Sequence, residues 1–364
     1  MSTKKIKLAF LLFVSTSIFF TGCNEESDEL FNRKSQETTR NYSNFLSFIN
    51  FDEMNSTIDM LANMDSAEVA TWERRNNFIS LNSISDYVAS EEDRLSDSLE
   101  AIYRTPEDIP NIRHSEAFET FSDVFVQKTI PDDDGGIYYD LNISNDNYAN
   151  VVNRYGIVKV GENIYQFKEN TIKIILGGDV SKINLLDTVT ETNEREGVVV
   201  YTKARVTYTT NKMHHHVVGK RGKYKVILYH TFDQWFIGNE VCTTHDIKVR
   251  SLKKKWYLAN TYNNHKTRIT TNSSFVGNTV EGYIQPIFLP NASVLNLTRQ
   301  WSYTGSRVYR KNTTGQEYFF DSYYFPFFCN KYNNGLVDNT KYPKLQSGNF
   351  VVTTSDNVTV SLTF

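Results

Sequence analysis

Pro131-Asp132-Asp133-Asp134-Gly135-Gly136 divides this chain of 364 residues into two kinds of pattern. A proline, three carboxylates and two glycines in succession interrupt any helix or strand, and the apolar period changes across them. Upstream, apolar residues recur at helical spacing. Met54, Ile58 and Leu61 form one face; Val69 and Trp72 belong to a second; Phe118, Phe121 and Phe125 stand at i, i+3 and i+7. Asp52 is placed to cap the first helix, and Asp65 the second, with Glu68 three residues on as in a capping box. Phe78 to Leu81 breaks the pattern. A third helix is predicted over 83–103, stopped by Pro106 and Pro110.

Downstream, one short helix is expected over 147–155. Gly156-Ile157-Val158-Lys159-Val160-Gly161 and Ile164-Tyr165-Gln166-Phe167 then read as a hairpin whose first strand is punctuated by glycines. Strands are predicted over 198–208, 224–232, 247–252, 256–262, 268–275 and 283–288, with 350–353 and 358–364 closing the chain. Segments 307–311 and 317–321 flank Asn312-Thr313-Thr314-Gly315-Gln316, a hairpin loop by composition. The expected class is α+β: a helical segment, then a predominantly antiparallel β-rich body, sandwich-like or a partly closed barrel. Its boundaries read as a signal at 1–22, a flexible acidic tether at 23–44, helices at 45–130 and strands at 131–364.

The first of those segments carries the location. Lys4, Lys5 and Lys7 form a basic head, Ile6 to Phe20 is mostly apolar, and Thr21-Gly22-Cys23 follows. That order describes a secretory signal peptide, and the apolar run is short for a permanent membrane span. Phe20-Thr21-Gly22-Cys23 resembles the lipobox of bacterial lipoproteins, with Phe20 where leucine is usual. The resemblance implies that the Cys23 sulfur receives diacylglycerol and its freed amine a further acyl chain such as palmitate. One chain binds a bilayer only reversibly, at roughly 0.8 kcal/mol per methylene, so stable anchoring takes two or more. Asn24-Glu25-Glu26-Ser27-Asp28-Glu29 resembles the surface-export signal of Bacteroidota lipoproteins. It implies the outer membrane, facing the cell exterior, with the periplasmic face as the alternative; a solvated acidic tether is the plainer physical reading.

Further motifs are similar to those of uncharacterised Bacteroidota surface lipoproteins with a domain of unknown function. They are Met64-Asp65-Ser66-Ala67-Glu68 and Trp72-Glu73, and Asn153 to Gly161 leading into Ile164-Tyr165. The likeness is clearest before residue 190. It implies an exported, anchored protein and carries over no catalytic residue.

Composition narrows the partners. The net charge is −3, and loss of three lysines with the signal makes the remainder more acidic. No basic stripe emerges, which argues against nucleic acid. Aromatic residues make up 14% of the chain, with 22 Tyr beside 24 Phe, a composition suited to strands and half-buried surfaces. With Cys23 committed to lipid, Cys242 and Cys329 remain, able outside the cytoplasm to form one disulfide or to stay as buried thiols.

Candidate chemistry is sparse. His214 and His216 share a face if extended, but no zinc-spaced motif accompanies them, and the stretch reads as a polar lead into the 219–222 turn. His230, His245 and His265 fall in separate strands. Asp132 to Asp134 offer oxygens to calcium, although the spacing is not that of an EF-hand. No metal or cofactor is therefore expected. No nucleophile elbow, metalloprotease helix or phosphate-binding loop is present, and Cys242 with His245 is the nearest approach to a thiol–imidazole pair. Ser66, Ser98 and Thr188, each after an aspartate, resemble the O-glycosylation triplets of exported Bacteroidota proteins; Ser66 equally suits helix capping. The expected function is a non-catalytic surface module for a glycan or protein ligand. Trp256, Trp301, Tyr303, Tyr309, Tyr323 and Tyr324 supply rings that either stack on sugars or pack internally. The alternative is a secreted hydrolase acting on polysaccharide or peptide.

Overall fold

A computed structural model describes residues 44–131, 135–203, 214–237, 240–258, 261–264, 267–277, 280–284, 295–299, 302–313, 316–318, 328–330, 345–353 and 358–363. Helices come first, as the periodicity predicts. Helix α1 (Phe51–Ala62) buries Met54, Ile58 and Leu61. Its cap is Asn50 rather than Asp52: the Asn50 side chain accepts from the Glu53 N–H at 2.9 Å. Asp52 sits in the first turn, where a negative charge still favours the helix dipole. Helix α2 (Ser66–Arg75) has the expected capping box. The Glu68 N–H donates to Asp65 Oδ1 at 2.9 Å and the Asp65 N–H to Glu68 Oε2 at 2.7 Å. Its buried residue is Glu73, while Val69 and Trp72 are half-buried. Helix α3 (Leu81–Ile102) begins on a Ser80 cap.

The fourth predicted helix is cut short. Only α4 (Glu116–Thr120) forms; a 3-10 turn over Ser122–Val124 follows, and Phe125 opens a strand. Phe118 and Phe125 nevertheless stack, with ring centroids 5.6 Å apart, so the aromatic spacing reported a contact without reporting a helix. The segment expected to be helical at 147–155 is a 3-10 turn at Asp146–Asn150, and one further turn, α5, spans Leu185–Thr188.

Nineteen strands are described: β1 (Ser47–Phe48), β2 (Phe125–Thr129), β3 (Ile137–Leu141), β4 (Ile157–Val160), β5 (Asn163–Phe167), β6 (Thr171–Ile175), β7 (Val198–Lys203), β8 (His214–Arg221), β9 (Tyr224–Ile237), β10 (Glu240–Lys254), β11 (Thr261–Asn264), β12 (Thr267–Gly277), β13 (Val280–Ile284), β14 (Leu295–Arg299), β15 (Ser302–Thr313), β16 (Gln316–Tyr318), β17 (Phe328–Asn330), β18 (Leu345–Thr353) and β19 (Thr359–Thr363). One sheet runs β1-β4-β5-β6-β7-β9-β10-β11-β3-β2, with β8 beside β9 and with β16 and β17 beside β10. β13 pairs β17, and β14 pairs β13. The second sheet is β15-β12-β18-β19. Among the described strand pairs only β1–β4 and β11–β3 are parallel. The fold is therefore α+β with mostly antiparallel sheets, and the sheets do not close into a barrel. The path of the larger sheet ends at β1 and β2, which do not pair with one another.

The β4–β5 hairpin forms as read, with Ile157 opposite Gln166 and Val160 opposite Asn163. Gly156 has φ +78°, and a Cβ there would lie 2.3 Å from the Phe167 carbonyl oxygen, so both conformation and space demand glycine. Ile164, Tyr165, Gln166 and Phe167 are all buried. Both faces of this part of the sheet are covered, and the buried Gln166 amide donates to the Tyr155 carbonyl at 3.3 Å. The Phe51 ring of α1 meets Tyr165 edge-on at 5.3 Å. By contrast, the hairpin predicted around 312–316 does not form: β15 pairs β12 in one sheet and β16 pairs β10 in the other. The strand predicted over 256–262 is a bend at 256–258 followed by β11. Residues Ser43–Phe364 form one unit, and no described helix is long and apolar enough to cross a membrane.

Candidate functional site

Two clusters of buried charge, absent from the sequence expectations, stand out where the helices meet the larger sheet. The first is built on Glu92. It lies in the apolar stripe of α3, one and two turns beyond Val88 and Ile84–Ser85, and is buried with them. Lys255 and Tyr257, both buried, come from the segment after β10, and His114 and Ser115 precede α4. The Ser115 N–H donates to Glu92 Oε1 at 2.7 Å. Lys255 Nζ donates to Oε2 in a close ion pair, and the Tyr257 hydroxyl donates to the same oxygen at 3.3 Å. His114 Nδ1 lies 3.3 Å from Glu92 Oε2 and 3.2 Å from Lys255 Nζ. As an acceptor Nδ1 serves Lys255; as a donor it serves Glu92. The imidazole is stacked on Phe118 at 4.0 Å and edge-on to Tyr139 at 5.2 Å, which fixes its plane.

Burial alone would raise the Glu92 carboxyl. The His114 hydrogen bond, the Lys255 charge and the Ser115 N–H outweigh it and hold the group down at about 2. Burial pulls the Lys255 ammonium below the usual lysine range, against the opposing pull of Glu92. The Tyr257 hydroxyl is pushed up by burial and then by the Glu92 charge. A carboxylate that accepts from this many protein donors is an anchor: it ties α3 and the entry to α4 onto the end of β10.

The second cluster centres on Arg250 of β10, which is buried. Its Nη2 reaches Asp140 of β3 at 2.9 Å, and its Nη1 pairs with Asp146 in the following 3-10 turn. Lys128 of β2 lies 3.2 Å from Asp140 and 2.8 Å from Glu169. The Lys128 ammonium is raised: burial opposes this, but Asp140 and Glu169 prevail. Nearby, the Tyr138 and Tyr229 hydroxyls are 2.9 Å apart, each raised chiefly by burial. Together these groups stitch the edge strand β2 and its neighbour β3 to the long strand β10.

The residues singled out from sequence fare differently. Cys23, Asp132 to Asp134, His265, Trp301, Tyr323 and Tyr324 lie outside the described residues. Ser66, Ser98 and Thr188 are exposed, with the Ser98 hydroxyl donating to the Arg94 carbonyl at 2.8 Å. Trp256 is half-buried, and Tyr303 and Tyr309 fall in β15. His214 and His216 do occupy one strand two positions apart, and the register sets His215 opposite His230. Cys242 and His245 share β10, three positions apart. Cys242 stands opposite Cys329 in the β10–β17 pairing. Among the described residues no group of three or more His, Cys, Asp or Glu is placed to hold a metal ion.

No protein-family model matches the chain, and no curated protein matches it. Among solved structures it is similar to the crystal structure of a DUF4848 family protein from Bacteroides thetaiotaomicron, at 12% identity and a TM-score of 0.27, covering 89% of this chain and 97% of that one. At this level of likeness the match transfers neither a site nor an activity.

Proposed function

We propose that this chain is an exported lipoprotein, anchored to the outer membrane by acyl chains on Cys23, whose body is a non-catalytic binding or envelope module facing the cell exterior. The observation that carries the reading is the order of Lys4, Lys5 and Lys7, an apolar run and Thr21-Gly22-Cys23. The body supports the second half of it. Glu92, Asp140 and Asp146 are each engaged by protein cations or donors, whereas a hydrolase needs carboxylates or a thiol free to meet substrate. A glycan or protein is the ligand class in view; nucleic acid and cofactors play no part in it.

Metabolic labelling with a radioactive fatty acid, followed by membrane fractionation, tests the anchor. Wild type is expected to carry label and to pellet with the outer membrane; Cys23→Ser is expected to lose the label and the pelleting. A Cys23→Ser chain that matures and sediments like wild type would overturn the reading. Protease treatment of intact cells checks the orientation: a body that is cleaved faces outward, and one that is protected lies in the periplasm.

A further inference from the structure

We propose that Cys242 and Cys329 are joined by a disulfide that locks the three-residue strand β17 to β10. The inference rests on the export reading above, because such a bond persists in an oxidising compartment and not in the cytosol. What carries it is register. In the β10–β17 pairing Val241 is opposite Asn330, Cys242 opposite Cys329 and Thr243 opposite Phe328. Directly opposed residues of an antiparallel pair have Cα atoms about 4.5 or 5.5 Å apart, depending on the hydrogen-bonding pattern. Both spacings fall within the roughly 4.4–6.8 Å that a disulfide spans. A shift of one residue would place the two cysteines on opposite faces.

The topology gives the bond a task. After β11 the chain leaves the larger sheet for β12, returns for β13 and β14, leaves again for β15, and comes back as β16 and β17. β17 is held by three residues of β10 on one side and two of β13 on the other. So short a ladder is a weak fastening for a segment that has crossed between the sheets more than once. A covalent link at its middle residue fixes the return. In forming it each thiol gives up a proton, and together they give up two electrons. The acceptor is the disulfide of a thiol–disulfide exchange protein, which is reduced to two thiols.

The test is non-reducing peptide mass spectrometry of the full chain, isolated by fractionation after acid quenching and alkylation of free thiols. The expected result is a chain in the membrane fraction yielding one unalkylated peptide pair that links Cys242 to Cys329. A membrane-bound chain with both cysteines alkylated, or with either linked elsewhere, would overturn the cross-link and leave the anchor standing. A chain found in the cytosol with free thiols would instead overturn the export reading. The purified protein would then be exposed to oxidised glutathione, where a linked Cys242–Cys329 pair upholds the register and persistent free thiols refute it.

Discussion

Replacing Glu92 by glutamine removes one charge and leaves every neighbour in place, which makes Glu92→Gln the sharpest probe of the helix–sheet junction. The Glu92 carboxyl is held at about 2 in the folded chain against an ordinary value of 4.5. At about 1.4 kcal/mol for each pK unit, that difference is roughly 3 kcal/mol of stability at neutral pH. The residue is 2% exposed, so solvent screening takes little from this figure. The sign follows from the direction. A depressed acid contributes fully above its unfolded value of 4.5 and loses the contribution as pH falls towards about 2. The variant also strands the Lys255 ammonium without its counter-charge, and breaking a buried pair costs about 3–5 kcal/mol. Urea unfolding followed by tryptophan fluorescence, at a series of pH values, gives the comparison. Wild type is expected to exceed Glu92→Gln by about 3–5 kcal/mol near neutrality, with the gap closing through the acid range. A gap of the same size at every pH would refute the assignment of the charge to Glu92.

Three other outcomes follow from the same geometry. Burial raises the Glu73 carboxyl despite hydrogen bonds from the Ser80 N–H and the Ser83 hydroxyl, so its ionised form is penalised in the fold at neutral pH. Glu73→Gln is expected to stabilise the fold there, and denaturation curves should show the advantage vanish below the ordinary value of 4.5. Gly156→Ala places a Cβ against the Phe167 carbonyl at positive φ, and thermal unfolding should register a loss of more than about 2 kcal/mol; a loss under about 0.5 kcal/mol would mean the turn is not as described. With Cys242 and Cys329 joined, reductant is expected to lower the urea midpoint of wild type by the equivalent of about 4–5 kcal/mol, less any strain, and to leave Cys242→Ser unmoved.

Local signals in the sequence were legible where the determinant is local. The Asp65–Glu68 box, the Met54–Ile58–Leu61 face and the glycine-bounded β4–β5 hairpin all depend on residues a few positions apart. Pairing between distant strands was not legible. β15 and β16 adjoin in sequence and separate into different sheets because their partners, β12 and β10, lie far upstream. β2, β3 and β6 went unread: two of them are five-residue strands beside the Pro131–Gly136 break, and the third is a short apolar run between turns. The Glu92 cluster had one available sign, a carboxylate in the apolar stripe of α3. A charge at such a position requires a buried partner. Which partner it finds, Lys255, is settled only by the folding of a segment 163 residues further along the chain.

Strand β10 borrows its neighbours from both directions. It pairs with β9, made just before it, from Glu240 to Lys253, yet Ile247 waits for Tyr318 and Thr243 for Phe328. A polypeptide threaded through a membrane from its N-terminus would therefore expose one bare edge of β10 until nearly all of it had crossed. Acquisition of the native topology then becomes a late event with slow, non-local closure. In the interval, an uncovered strand edge is a template on which another chain can pair.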